Sequence, residues 1–464
     1  MQYTLTFLEE HYNQLTDHLF SRRDCEQAAY LLCAISTTDN ETRLLVNTVL
    51  PVGPTEIENC SETHITIKGI SYTRAMKRAS QTKRCFVLVH SHPAGVERHS
   101  GQDDVEEPKL FRTAYNRIRV PGVVHASLVL SDKSKPVGRA WLENGQQFPI
   151  DRIRVLGKRF HFYDLGEDTS DITVFDRQVL AFGPRVQHLF KRLSVGIIGL
   201  GGTGSAVAEQ LIRLGIGHII ACDPQTFDKT NINRVYGSRV ADQDSPKTAL
   251  LKRLADDIGL GTVFDVFPKS ITDLETAKQF RKCDVLFGCT DDEWGRSILT
   301  KLALSYFIPV FDMGVLIDSR EETIKSVRGR VTTLLPGSPC LFCRGIIDTK
   351  VVSAEIKHQI NPEEYEQLKR EGYVPGLPGN APSVIMFTSM VASAAITELL
   401  HRITGLMGKE RSSTEVILRI DESRVSTNTK PLRECWCADT DNWGEGDVDP
   451  FLNLTWVQPA NEAA

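Results

Sequence analysis

"SVGIIGLGGTGSAVAEQLIRLGIGHIIACD", Ser194–Asp223, is the stretch that decides the fold. It reads as an apolar strand, a glycine turn, a helix and a second strand, the order of a βαβ unit. Gly199, Gly201 and Gly204 form a G-x-G-x-x-G array between strand and helix. That spacing lets backbone N–H groups and a helix N-terminus approach phosphate oxygens. Asp223 ends the second strand, where a carboxylate can hold a ribose hydroxyl. So far this fits any dinucleotide enzyme, a dehydrogenase included.

The pattern extends outward. The helical "DRQVLAFGPRVQHLFKRL" leads into it. After it, "SPKTALLKRLADDIG", "DLETAKQFRK" and "EWGRSILTKLALSY" have helical periodicity. They alternate with the apolar runs "TVFDVFP", "CDVLFGCTD" and "IPVFDMGV". This predicts a doubly wound parallel sheet within a domain spanning 173–440. A polar segment of about 346–380 shows no clear strand; a helix, "SVIMFTSMVASAAITELLHRI", and a strand, "TEVILRID", follow.

Upstream, residues 1–150 alternate short strand-like runs with helical ones such as "TFLEEHYNQLTDHLF", as expected of an α+β domain around a mixed sheet. The charged stretch over 151–172, with "DLGEDTSD" at its centre, reads as a linker, and 441–464 as a C-terminal tail.

The chain has 464 residues, 41% hydrophobic and 24% charged, with a net charge of −5. These values suit a packed globular protein and argue against a nucleic-acid binder. No apolar run is long enough for a membrane span, and the N-terminus is unlike a signal peptide. Of the eleven cysteines, four fall in two tight pairs and seven stand alone. The expectation is a reduced, cytoplasmic protein with one metal knot, not a secreted disulfide framework.

Two regions carry chemistry. In "CFVLVHSH", His90 and His92 are two apart on a strand, so both imidazoles can face one ion. Ser100 and Asp103 follow at a strand-to-loop transition, and zinc in a catalytic site takes three such ligands with a fourth position open. His99, between them, reads as a solvated loop residue. In the second region, the residues after Asp223 decide against a dehydrogenase. "FDKTNINRVYG" and "DSPKTALLKRL" supply Asn231, Asn233, Arg234 and Lys247. Such a set suits a site that breaks ATP between its α- and β-phosphates, where charge develops on oxygen. "GCTDD" puts Asp291 after an apolar strand, where a carboxylate can hold Mg²⁺.

The first region, with Pro93 after the second histidine, resembles the JAB/MPN domain and its JAMM metalloprotease motif. The resemblance implies that His90, His92 and Asp103 ligate a catalytic zinc, Asp104 being the alternative that breaks the spacing. It implies an upstream glutamate as general base, with Glu26 of "CEQAAYLLCA" the candidate and Glu41, Glu56 and Glu58 its rivals. Ser100 would donate to the oxyanion. The second region, about Asp176–Asp421 with a tail to Cys437, resembles the ubiquitin-activating superfamily, especially its MoeB/ThiF-like adenylyltransferases. In that light Arg177 reaches the ATP of a partner subunit. Asp223 binds ribose, Asn231 and Arg234 contact phosphates, Lys247 stabilises the α-phosphate and Asp291 holds Mg²⁺.

Cys340 and Cys343 of "PCLFCRG", with Cys435 and Cys437 of "ECWCAD", suit a closed structural zinc site, although the second clip is Cys-x-Cys where the family has Cys-x-x-Cys. No cysteine lies between Arg344 and Glu434, so a thioester at the family's usual position is not expected. Direct transfer of the acyl group, an oxyester on Ser353 or Ser383, or a thioester on Cys222 or Cys289 remain. The last two cysteines read as core residues. Taken together, the resemblances imply a fused enzyme that uses ATP, Mg²⁺ and zinc. One domain adenylates the C-terminus of a ubiquitin-like protein, and the other cleaves after that terminus. Expected partners are that protein, a ubiquitin-carrier-like enzyme and a second copy of the chain. The alternatives are activation and processing of a sulfur-carrier protein, and an inactive binding scaffold.

Overall fold

A computed structural model describes residues 1–166, 168–377, 382–428 and 434–456. The chain divides into two compact units, Met1–Asp168 with Trp443–Val448, and Thr169–Asn442 with the residues from Asp449 on.

The first unit contains β1 (Gln2–Leu8), α1 (Glu9–Leu19), β2 (Ala28–Thr37), β3 (Glu41–Pro51), the hairpin β4 (Ile57–Ser61) and β5 (His64–Ile67), α2 (Gly69–Gln81), β6 (Cys85–Ser91), α3 (Gly101–Arg117), β7 (His125–Leu130), β8 (Pro136–Trp141), β9 (Gln147–Pro149), β10 (Arg152–Leu156) and β11 (Phe160–Asp164). Nine strands form one mixed sheet in the order β11-β10-β1-β3-β2-β6-β7-β8-β9. Central β2 is covered on both faces. Its Ala29, Leu31 and Cys33 join α1 residues Tyr12, Leu15 and Leu19 in one core. Ala28, Tyr30 and Leu32 join Ala75, Met76, Phe111 and Ala114 of α2 and α3 in the other. The split follows the two-residue period of a strand. On β6 the same alternation sends Phe86, Leu88 and therefore His90 to the α2/α3 face.

Three expectations are corrected. Thr6–Leu8, read as part of a helix, ends β1, which pairs in parallel with both β3 and β10. Sheet pairing overrides the local periodicity there. The supposed linker over 151–172 carries β10 and β11. Two of its arginines look exposed in sequence but are paired, Arg154 with Glu41 at 3.0 Å and Arg152 with Asp164. The supposed tail begins by packing on the first unit. Asn47 Nδ2 donates to the carbonyls of Trp443 and Gly444 at 2.8 and 2.9 Å, and Asp447 N–H donates to Ile35 O at 2.8 Å.

The second unit contains α4 (Asp176–Phe182), α5 (Pro184–Arg192), β12 (Ser194–Ile198), α6 (Gly202–Leu214), β13 (His218–Cys222), α7 (Lys247–Ile258), β14 (Val263–Phe267), α8 (Leu274–Gln279), β15 (Val285–Gly288), α9 (Glu293–Tyr306), β16 (Val310–Arg320), β17 (Thr323–Leu334), α10 (Thr349–Ile360), α11 (Pro362–Arg370), α12 (Ile385–Thr404), β18 (Glu415–Arg419) and β19 (Arg424–Asn428). The sheet order is β14-β13-β12-β15-β16-β17-β18-β19. It is parallel through β16 and antiparallel beyond. The parallel part has the doubly wound order, and the winding reverses between β12 and β15. Among the described residues, no helix is long and apolar enough to cross a membrane.

Candidate functional site

The first unit brings His90, His92 and Asp103 together, with one ligand atom from each within 4.8 Å of the others. The two Nε2 atoms are 3.0 Å apart, and His90 Nε2 lies 3.4 Å from Asp103 Oδ1. His90 is the penultimate residue of the buried strand β6, and His92 is aimed by a 2.9 Å contact from Nδ1 to Val96 O. Asp103 comes from the first turn of α3. Ser100 caps that helix reciprocally, with Ser100 N–H donating to Asp103 Oδ2 at 2.6 Å and Asp103 N–H to Ser100 Oγ at 3.2 Å. The Ser100 hydroxyl also donates to Asp103 at 2.7 Å. Asp104 turns away to Arg139 at 2.6 Å. Two imidazoles and one carboxylate match the donor set of a catalytic zinc.

Glu26 precedes β2 and is buried at 4% exposure. Burial raises its carboxyl to about 7, against the opposing influence of His90. Its rivals are engaged elsewhere or exposed: Glu41 pairs with Arg43 and Arg154, Glu56 with Arg74, and Glu58 is exposed. Sequence reading missed what holds Glu26. Ser91, between the two histidines, accepts from Gln27 N–H at 2.9 Å and returns its own N–H to Gln27 O at 2.9 Å. On the other side Cys25 is disulfide-bonded to Cys60, which corrects the expectation of isolated reduced thiols. Sequence reports their spacing of 35 but not that β4 folds back beside Cys25.

His99 is corrected too. Its side chain is only 8% exposed and Nε2 lies 3.1 Å from Ser127 Oγ. Burial lowers it to about 3, leaving a neutral ring. Ser127 donates to Glu107, which also accepts from Arg139 and Trp141 at 2.8 and 3.0 Å. Glu107 lies one helical turn beyond Asp103, and this spacing was the available signal.

In the second unit the three glycines do different things. Gly199 has φ +87°, in the left-handed region. A side chain on Gly204 would place Cβ 1.8 Å from Gly199 O, so α6 packs against the turn only without one. Gly201 faces open space within 4 Å, as a phosphate would require. Asp223 directly follows β13, and both its oxygens are engaged: Leu200 N–H donates to Oδ2 at 2.6 Å and Gln225 N–H to Oδ1 at 2.8 Å. Lys247 opens α7, is 6% exposed and donates to Gln225 Oε1 at 2.5 Å. Gln225 therefore joins Asp223 to Lys247, a link the sequence reading missed. Arg234 packs against Gly202 and donates to Thr230 O at 2.7 Å. Asn231 is buried, and exposed Asn233 accepts from Arg234 at 3.4 Å. Asp291 is exposed beyond β15, while neighbouring Asp292 caps α9 through Gly295 N–H at 2.6 Å. Arg177 is exposed on α4. Ser353 is exposed on α10, and Ser383 is half-buried just before α12. Cys222 and Cys289 are thiols that burial pushes up.

The four cysteines converge despite the shorter second clip. Sulfur separations are 3.7 Å for Cys340–Cys343, 3.8 Å for Cys340–Cys435 and 3.5 Å for Cys343–Cys437. Tetrahedral zinc–thiolate bonds of about 2.3 Å require sulfurs roughly 3.8 Å apart, so the group fits the ion.

A profile of the ThiF family matches residues 175–437, the strands and helices just described and all four cysteines. The chain belongs to the ThiF family. Ubiquitin-like modifier-activating enzyme 5 of Dictyostelium discoideum is 26% identical over 195 residues, which is 39% of this chain and 46% of that protein. The sulfur carrier protein ThiS adenylyltransferase of Bacillus subtilis is 30% identical, over 36% of this chain and 49% of its own. The tRNA threonylcarbamoyladenosine dehydratase of the same bacterium is 39% identical, over 18% and 33%. The chain thus spans half or less of these relatives. The His90–His92–Asp103 group lies outside the ThiF match.

Proposed function

We propose that the ThiF region is an ATP-dependent adenylyltransferase acting on the C-terminal carboxylate of a ubiquitin-like or sulfur-carrier protein. The observation that supports this best is the chain of contacts from Leu200 through Asp223 and Gln225 to Lys247, which joins the glycine turn, a ribose carboxylate and a phosphate cation. Asp223 holds ribose, and the turn at Gly199, Gly201 and Gly204 accepts the phosphates. Asn231, Asn233 and Arg234 line the phosphate path, and Lys247 leaves Gln225 to meet charge developing at the α-phosphate. Asp291 is free to hold Mg²⁺, which would neutralise phosphate charge. The carrier carboxylate attacks the α-phosphorus, forming an acyl-adenylate and releasing pyrophosphate. Arg177 acts across a homodimer. The acyl group then passes directly to an acceptor or through Ser353 or Ser383, with a ubiquitin-carrier-like enzyme as one acceptor. Two of the three relatives are named for activating such carriers, whereas the third is named for a tRNA nucleoside, so family membership alone does not select the acceptor.

The first unit is read as a JAB/MPN-type zinc peptidase that cleaves after the same C-terminus, with JAMM residues His90, His92 and Asp103 as ligands. A zinc ion held there would lower the pKa of a bound water towards about 7. Glu26 would serve as the general base and carry a proton to the leaving amine. Ser100 turns its hydroxyl from Asp103 to the oxyanion. Sulfur-carrier activation is the second reading and is favoured by the ThiS adenylyltransferase likeness.

Mass spectrometry of the protein with ATP and candidate carriers tests the central claim. An AMP-mass adduct on a carrier C-terminus supports it. Failure of every ubiquitin-like and sulfur-carrier candidate, in adduct formation and in pyrophosphate exchange, sinks it.

A further inference from the structure

We propose that the Cys25–Cys60 disulfide is a redox device that fixes Glu26, so that the metal site of the first unit works fast when the pair is oxidised and slowly when it is reduced. The proposal rests on the reading of Glu26 as the base.

Glu26 directly follows Cys25, and its N–H donates to the carbonyl of Ser61, which directly follows Cys60, at 2.8 Å. Two consecutive residues of one segment are thus fastened to two consecutive residues of β4, once covalently and once by a hydrogen bond. The segment needs fastening. Ser21–Gln27 runs between α1 and β2 without regular structure, and Ser21–Asp24 is exposed or half-exposed. On the far side of Glu26, Gln27 is held by Ser91 on the strand that carries His90. Glu26 is therefore bracketed by the metal-bearing strand and by the hairpin. The hairpin is in turn fixed to α3, which carries Asp103, through a 2.7 Å contact between His64 Nδ1 and Gln102 Oε1. Opening the disulfide leaves the metal ligands in place and loosens the base.

The chemistry balances with a dithiol. A thiolate attacks Cys60 Sγ, the more accessible sulfur of the pair, and Cys25 leaves as thiolate. The second thiol of the reagent resolves the mixed disulfide. Two electrons and two protons pass to Cys25 and Cys60, and the dithiol becomes a disulfide. A low-molecular-weight disulfide reverses the exchange.

The test uses the full chain in three forms: oxidised, reduced by a phosphine, and Cys60→Ser, which needs no reductant. Reduction should expose two further alkylatable thiols. Amide exchange in peptides covering 20–27 should quicken about tenfold or more, while peptides covering 85–92 and 101–117 keep their protection. Turnover of a short peptide ending in Gly-Gly-aminocoumarin should fall about 10- to 100-fold in kcat with KM and zinc content unchanged. If Cys60→Ser exchanges and cleaves like the oxidised protein, the redox proposal is overturned. Glu26→Gln separates the two ideas. If it abolishes cleavage while Cys60→Ser does not slow it, only the redox proposal falls; if it cleaves normally, the base assignment falls and takes the proposal with it.

Discussion

The Nε2 atoms of His90 and His92 stand 3.0 Å apart on the buried α2/α3 face of a nine-stranded sheet. Two such nitrogens cannot both carry protons at that distance, and a cation bound between them removes the conflict. Metal analysis should find about two zinc ions per chain, falling to about one in His92→Ala and to about one in Cys343→Ser. A His92→Ala protein that retains both ions would contradict the site.

Glu26 gives a pH signature. Burial lifts its carboxyl to about 7 and a bound cation draws it down again. A base works deprotonated, so cleavage should be full above that pKa and be lost as pH falls through it. The acidic limb of kcat/KM should lie at or below about 7 and vanish, with the activity, in Glu26→Gln.

Lys247 and Gln225 predict a graded loss. Lys247→Ala should cut carrier-dependent pyrophosphate exchange by about 100-fold or more, because the cation acts on charge present in the transition state. Gln225→Leu removes the contact at 2.5 Å that positions the amine and should cost less, mainly in KM for ATP. Equal losses would mean that Gln225 itself contacts the nucleotide.

Two glycine substitutions should separate folding from binding. Gly204→Ala drives Cβ into Gly199 O and should destabilise the second unit by about 1–3 kcal/mol or more in denaturant titration. Gly201→Ala meets nothing within 4 Å, so it should keep its stability and lose ATP affinity.

Glu107→Ala leaves Arg139, Ser127 and Trp141 without their shared buried acceptor. A loss of about 3–5 kcal/mol in unfolding is expected, with unchanged stability of the second unit. A fall under about 1 kcal/mol would show that water or another acceptor replaces the carboxylate.

Much of this was legible in the sequence, for local reasons. A glycine array between strand and helix, a His-x-His at a strand end and two cysteine clips each act over a few residues, where backbone geometry follows from spacing. The segment over 151–172 misled because its arginines look solvated until Glu41, more than 100 residues earlier, comes alongside. His99 misled in the same way, since its burial depends on Ser127 of a neighbouring strand.

The sequence by itself determined the winding of the ThiF region, the glycine array at its first turn and the identity of the three metal-capable side chains. Tertiary structure alone buried Glu26 while pairing Glu41 and Glu56 with arginines, joined Cys25 to Cys60, linked Asp223 to Lys247 through Gln225 and returned Trp443–Val448 to the first unit. Each of those depends on which strands and loops pack side by side. That choice follows from burying two faces of a sheet at once, and spacing along a chain does not encode it.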